Sequence, residues 1–198
     1  MANNIAAIVL AAGLSTRMGT QNKLLLPFNN ASMIVQVIQA ALTAQLQNII
    51  VVTGHEADAV VQATQGLAVR CVHNPNFVSG MASSLRCGLQ ALESNDQPID
   101  GAIMLLGDMP LVSGADIKKL LAAFSNNDQI IAPYYQGKRG NPVLWGSDYF
   151  AEIKQLSGDS GAKALLTRHA NNMIKVPVDH QGIFADIDSP EAYAELKL

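Results

Sequence analysis

The sequence predicts an α/β domain built on a parallel sheet, and three observations carry that expectation. Short apolar runs do not alternate with polar residues; stretches of helical periodicity lie between them; and the residues able to do chemistry fall just after the runs. A strand buried on both faces reads as an unbroken apolar run, and strand–helix alternation leads to right-handed crossovers.

The first run is "IAAIVL" (Ile5–Leu10). "NIIVVTG" (Asn48–Gly54), "AVRCV" (Ala68–Val72), "GAIMLLGD" (Gly101–Asp108) and "QIIAPYY" (Gln129–Tyr135) follow it. Met33, Val37, Ala40, Ala41 and Ala44 recur at helical spacing, as do Leu85, Leu89 and Leu92, and Ile117, Leu120, Leu121 and Phe124. The last third is less regular. "GKRGNPVLW" (Gly137–Trp145) reads as a loop entering a short strand, and "NMIKVPV" (Asn172–Val178) as another strand. "GDSGAKALL" (Gly158–Leu166) reads as a turn in which Asp159 or Ser160 caps a helix. "SPEAYAEL" opens a final helix, with Ser189 as cap and Pro190 in the first turn. Without repeats or a Pro/Gly-rich linker, one domain over residues 1–198 is the expected organisation.

Composition narrows the function. The chain is 49% apolar, enough for one sizeable core, and carries a formal net charge of −3. No Lys/Arg run is present, which disfavours nucleic-acid binding by phosphate neutralisation but leaves a pocket for a small anion open. The apolar stretch around Ile5–Leu14 is too short to span a bilayer and lacks a signal-peptide layout, so a cytoplasmic protein is expected. Cys71 and Cys87 fit neither a redox pair nor a zinc site and are expected to be reduced thiols in or near the core.

Ligands of open α/β sheets bind beyond the carboxyl ends of the strands. There the chain places "LAAGLSTRMGTQNK" (Leu10–Lys23), "TGHE" (Thr53–Glu56), "HNPNFVSGMASSL" (His73–Leu85) and "GDMP" (Gly107–Pro110). In the first loop, Gly13 and Gly19 can take positive φ and bring N–H groups to an anion, with Ala11 and Ala12 keeping the approach open. Arg17 can fork onto phosphate oxygens and Lys23 can add a point charge. Neither the GxGxxG nor the Gly-Lys-Ser/Thr pattern is present. Asp108, where a buried strand meets solvent, can hold Mg²⁺ or simply shape a turn. Of the acidic pair in "ADIDSPEAY", Asp186 is the better second metal ligand, and Asp188 is expected to support the start of the last helix. "SGMASSL" lacks the GxSxG elbow and reads as a polar loop leading to an anion-favouring helix N-terminus. His55 and His73 are candidates for the pocket wall, whereas His169 and His180 are expected at the surface.

Together, "LAAGLSTRMG…K", "LLGDMP", "RGNPV", "GDSGAKALL" and "DIDSPE" resemble the MobA-like nucleotidyltransferase family, most closely its molybdenum cofactor cytidylyltransferase branch. The resemblance covers nearly the whole chain. It implies a Rossmann-like three-layer sandwich with a mostly parallel sheet and Mg²⁺-dependent transfer of CMP from CTP to the phosphate of molybdopterin, with pyrophosphate leaving. By that resemblance Leu10, Ala11, Ala12 and Gly13 would recognise base and ribose, and Ser15, Arg17, Gly19 and Lys23 would hold the triphosphate. Asp108 would bind Mg²⁺ with Asp186 as second ligand. Thr53, Gly54, Ser79, Gly80, Ser83 and Ser84 would line the nucleotide side, and Asn141, Pro142 and Asp159 would face the acceptor.

Departures from the family pattern bear mainly on substrate choice. Ala12 stands where the guanylyl branch commonly has a second Gly, which favours cytidine. Three residues separate Gly19 from Lys23, where many relatives have two. Lys163 replaces a common Arg, and Ala192 follows Glu191 where a second acid is frequent. Two other readings follow from the resemblance: a cytidylyltransferase for another phosphorylated small molecule, or a non-catalytic carrier serving a molybdenum hydroxylase.

Overall fold

The computed structural model describes residues 3–15, 22–94, 97–159 and 161–195. Strand β1 (Ile5–Ala11) leads through the first loop to a single 3₁₀ turn (Lys23–Leu25) and a small hairpin of β2 (Pro27–Phe28) and β3 (Ala31–Ser32). Helix α1 (Met33–Thr43), β4 (Asn48–Thr53), α2 (Ala57–Ala63), β5 (Arg70–His73), α3 (Met81–Leu92), β6 (Gly101–Leu106) and α4 (Gly114–Ala123) then alternate. The last third contains β7 (Ile130–Tyr135), β8 (Lys138–Arg139), β9 (Val143–Gly146), α5 (Phe150–Lys154), α6 (Lys163–Arg168), β10 (Met173–Pro177) and α7 (Pro190–Glu195).

The main sheet runs β10-β7-β9-β6-β1-β4-β5, with β8 attached to β7. β1 pairs in parallel with β4 (Ile8↔Ile50) and with β6 (Ile8↔Met104), and β4 with β5. β9 is antiparallel to both β6 and β7, and β10 is parallel to β7. The sheet is therefore mostly parallel, as expected. The inverted strand matters for the site: β9 brings its beginning, Asn141–Pro142, to the edge where the other strands end.

Alternation along β1 divides the core into two layers. Ala7, Val9 and Ala11 pack with Ile34, Val37 and Ile38 of α1 and with Ile117 and Leu120 of α4. Ala6 and Ile8 pack on the other face with Leu85, Leu89 and Leu92 of α3, Ile153 of α5, and Leu165 and Leu166 of α6. Among these, Val37, Leu85, Leu89, Leu92, Ile117 and Leu120 are periodic positions of the sequence; helices on both faces of one sheet make three layers.

The caps divide into expected and unexpected. Ser189 Oγ accepts the Ala192 N–H at 3.3 Å, as its sequence position suggests. Asp159 does not cap the following helix: α6 starts at Lys163 after Ala162, which makes no side-chain cap bond. Ser160 lies outside the described residues. A full capping box, Ser113 with Asp116, starts α4. Among the described residues no helix is long and apolar enough to cross a membrane. Ile8 is fully buried on the central strand. Ile8→Ala is expected to destabilise by about 2–5 kcal/mol, read as a lower urea midpoint at unchanged slope.

Candidate functional site

Parallel pairing brings the ends of β1, β4, β5 and β6 to one edge of the sheet. Two adjoining cavities open there. The first, of about 440 Å³, is lined by Leu10, Ala12, Gly13, Lys23, Gly80, Ser84, Asp108, Asp159, Asp186 and Asp188, with Leu14, Val78 and Met81 among its apolar walls. The second, of about 210 Å³, shares Leu10, Met81 and Leu106 with it and adds Arg139, Asn141, Trp145 and Lys163. The first has an acidic side and the second a basic one.

The acidic side is organised by Lys23. Asn22 Oδ1 accepts the Leu24 N–H at 3.1 Å and starts the 3₁₀ turn that carries the lysine. Ser15 Oγ accepts the Lys23 N–H at 3.3 Å and closes the loop at its base. The Lys23 ammonium donates to Asp108 Oδ2 at 2.6 Å and to Asp188 Oδ1. Burial alone would lower the Lys23 pKa, but the Asp108 charge and the hydrogen bonds to both carboxylates outweigh it and raise it. Asp186, at the rim, is shifted upward by partial burial and by its neighbours Asp188 and Asp108. Among the described residues no three His, Cys, Asp or Glu side chains are arranged to hold an ion by themselves.

The opposite wall is built around a residue the sequence reading missed. Asn74, buried after β5, donates through Nδ2 to Ser83 Oγ at 2.8 Å and Ser84 Oγ at 3.1 Å. Its Oδ1 accepts the Asn76 N–H at 3.0 Å. An Asn directly before Pro75 at a strand end was the available signal, since Asn side chains commonly fold back onto the next backbone groups. Gly80 begins α3 with φ +102°. A Cβ there would lie 2.5 Å from Asp159 Oδ1, so glycine lets the 158–159 turn close onto the helix start and puts Asp159 in the cleft.

Several candidate residues have other positions or conformations. Thr53 is 1% exposed, with its hydroxyl donating to the Val72 carbonyl at 3.4 Å. It borders a separate cavity of about 750 Å³ with Leu25, Glu56, Cys71 and His73. Gly54 is a packing glycine, where a Cβ would come within 2.6 Å of Phe77 and 2.8 Å of Ala12. Ser79 is exposed and donates to the Asn76 carbonyl at 2.7 Å, while Ser83 donates to the Asn76 and Gly80 carbonyls. Both hydroxyls secure the loop rather than line the cleft. Ala11 is buried behind the cleft, Ser15 closes the loop, and Pro142 is buried beside Asn141 across a cis peptide bond.

The first loop also corrects its own expectation. Gly13 does not take a positive φ; Ser15 does, at 51°. Among the described residues, a Cβ on Gly13 would meet nothing within 4 Å. Arg17 and Gly19 lie outside the described residues. Asp188, expected to support a helix start, holds Lys23. His55 lies near Phe77 with the rings tilted by 43°, and it is not among the residues that line the cleft. His169 and His180, expected at the surface, are both partly buried and paired with carboxylates.

A glycine-containing loop, a helix start and aspartates gathered at parallel strand ends define a nucleotide-handling α/β protein. A family model described as "MobA-like NTP transferase domain" matches residues 7–173, and the chain belongs to this nucleotidyltransferase family. It is 26% identical to the molybdenum cofactor cytidylyltransferase of Escherichia coli over 98% of this chain and 95% of that one. It is 28% identical to the purine catabolism protein PucB of Bacillus subtilis over 96% and 94%. Among solved structures, Rv0371c of Mycobacterium tuberculosis superposes with a TM-score of 0.85 at 28% identity, covering 99% and 98%. A manganese complex of that protein gives 0.77 at 26%, covering 98% of each chain.

Lys23→Met removes the counter-charge between Asp108 and Asp188. It is expected to destabilise by about 1–3 kcal/mol, measured by urea unfolding. Because the Lys23 pKa is raised in the folded state, its contribution is complete below the ordinary value of 10.5 and is lost as pH rises through the higher folded value. The difference between variant and wild type should therefore persist through neutral pH and narrow only in strong alkali.

Proposed function

We propose that the protein is a Mg²⁺-dependent cytidylyltransferase that moves CMP from CTP to the terminal phosphate of molybdopterin and releases pyrophosphate. The observation that carries this reading is Lys23, held between Asp108 and Asp188 in the cleft that Gly13 lines, next to a second cavity bearing Arg139 and Lys163. One compartment suits a metal-bound triphosphate and the other an anionic acceptor. CTP and the acceptor come from the name of the E. coli relative and from the family pattern at Ala12.

The residues present fit a divalent cation. Four carboxylates, Asp108, Asp159, Asp186 and Asp188, share one cleft with the Lys23 ammonium, and Asp186 is shifted upward by partial burial together with the Asp188 and Asp108 charges. Carboxylate oxygens suit Mg²⁺, which keeps waters and takes phosphate oxygens to complete its shell. Asp108 and Asp186 would hold it, and bound there it would offset charge on the α-phosphate and the leaving pyrophosphate. The manganese complex of Rv0371c supports a divalent ion in this fold.

The chain's own residues supply position and charge. Gly13 and Ala12 let the nucleotide approach the end of β1. Lys23 exchanges a carboxylate partner for phosphate oxygens, and Arg17 forks onto the same triphosphate. Asn141, with Arg139 and Lys163, orients the acceptor phosphate in line with the α-phosphorus. An acceptor oxygen bonds to that phosphorus as the bridge to the β-phosphate breaks, and the electron pair leaves with pyrophosphate. The attacking oxygen is already anionic, so no general base is needed. A cytosolic setting agrees with the two free cysteines.

Incubation with CTP, Mg²⁺ and molybdopterin should release pyrophosphate, and Asp108→Ala should abolish it. No release with any nucleotide would overturn the reading and favour a non-catalytic carrier for a molybdenum hydroxylase; release only with another phosphorylated acceptor would reassign the substrate. Arg17→Ala should weaken CTP binding by about 1.5–3 kcal/mol, the value of a lost charged hydrogen bond, measured calorimetrically. Asp186→Asn should weaken divalent-ion binding while raising the melting temperature by about 1–3 °C, a small gain because the rim is solvent-screened. A fall in melting temperature would show that Asp186 is not under repulsion.

A further inference from the structure

The segment after β10 crosses the edge of the cleft and carries Asp186 and Asp188. Its later end is fixed on the site itself: Ile187, 1% exposed, donates its N–H to the Asp108 carbonyl at 3.0 Å. In the middle, fully buried Ile183 accepts the Asn141 N–H at 2.9 Å. At the earlier end Val178 donates its N–H to the Tyr134 carbonyl at 2.9 Å, and His180 follows it.

His180 reaches an unusual partner. Asp116, in the first turn of α4, is buried, and its Oδ2 accepts from Ser113 N at 2.9 Å and Ser113 Oγ at 2.6 Å. A capping-box carboxylate normally faces water on its outer side. Here His180 Nε2 covers it, 3.1 Å from each carboxylate oxygen. His180 Nδ1 accepts the Gly182 N–H at 3.1 Å. With Nδ1 an acceptor, the ring proton is assigned to Nε2 and points at Asp116. Gly182 makes this possible, since a Cβ there would lie 2.8 Å from Nδ1 and 3.0 Å from Leu111 Cβ.

We propose that His180 is a positioning residue: through Asp116 it anchors the segment that presents Asp186 and Asp188 to the cleft. The inference rests on the proposed ligand role of those carboxylates. Ile183 and Ile187 hold the part of the segment that bears the two carboxylates, and Val178 is tied to the sheet through the Tyr134 carbonyl. The Asp116 anchor adds a fixed point between them, on a helix that takes no part in the chemistry.

Two variants separate the two bonds of the imidazole. In His180→Asn the short amide keeps an acceptor for Gly182 but cannot reach Asp116. In His180→Gln the longer amide nitrogen can. Hydrogen exchange at residues 181–188 should accelerate in His180→Asn and return toward wild type in His180→Gln. Mn²⁺ affinity in the presence of CTP, followed by electron paramagnetic resonance, should fall about tenfold in His180→Asn, as for other groups that orient metal ligands. It should recover in His180→Gln. Unchanged exchange in His180→Asn would overturn the anchor. Faster exchange with unchanged Mn²⁺ affinity would reduce His180 to a purely structural residue and overturn the positioning role. If the wild type binds no Mn²⁺ with CTP, the metal reading above fails along with the positioning role, while exchange still reports whether His180 anchors the segment.

Discussion

Asp108, Asp186 and Asp188 repel one another, and the fold must hold them at one cleft against that repulsion. They lie on two chain segments, one at the end of β6 and the other beyond β10. Lys23 meets the problem electrostatically by placing its ammonium against two of the three carboxylates. The backbone meets it mechanically, through the Ile187 N–H on the Asp108 carbonyl and the buried Ile183 against the start of β9. Neither device would work without the parallel register of β1 and β6, which carries the Lys23 loop and Asp108 to the same edge.

The offset between glycine and lysine in the first loop has a physical reason within this arrangement. A lysine directly after the last glycine of a helix-opening loop projects along that helix toward the terminal phosphates of a nucleotide. Lys23 instead sits on a short 3₁₀ turn that Asn22 begins, and its side chain returns to the strand ends. There it serves as the resident counter-ion of the acidic wall. Gly13 lines the same cleft, so a ligand entering there meets an ammonium already held in place.

Much of the fold was legible because burial on both faces leaves a plain mark. The runs at Ile5–Leu10, Asn48–Gly54 and Gly101–Asp108 became the three neighbouring strands β1, β4 and β6, and most periodic positions of α1, α3 and α4 face the sheet, whereas Met33 packs with Phe28 and Ile187. Helices α2 and α5 were not legible: seven and five residues are too few for periodicity to declare itself. The inversion of β9 was hidden for a related reason, since four residues carry no mark of direction. At the site, sequence position located the loops but not the side-chain contacts within them. Thr53 and Gly54 end a strand at the correct edge, yet one hydroxyl turns to a neighbouring carbonyl and one glycine fills a packing gap. Asp188 was hidden by the cap signal of Ser189–Pro190 beside it.

The residues hardest to read are those whose partners are distant in sequence. Asp116 and His180 stand 64 positions apart, and each has an ordinary local explanation, one as the third residue of a capping box and the other as a polar residue after a strand. Only the fold shows that one carboxylate serves both the start of α4 and the segment bearing Asp186. Such sharing makes physical sense. A carboxylate already held by two donors from Ser113 is rigid, so a further hydrogen bond to it costs little additional ordering. Its depressed pKa, set by the Ser113 and His180 hydrogen bonds outweighing burial, keeps it an acceptor through neutral pH. The fold thus takes a helix cap, a feature fixed locally, as the support for a long-range contact. In that way the acidic wall is tied to a part of the structure on which its own repulsion has little hold.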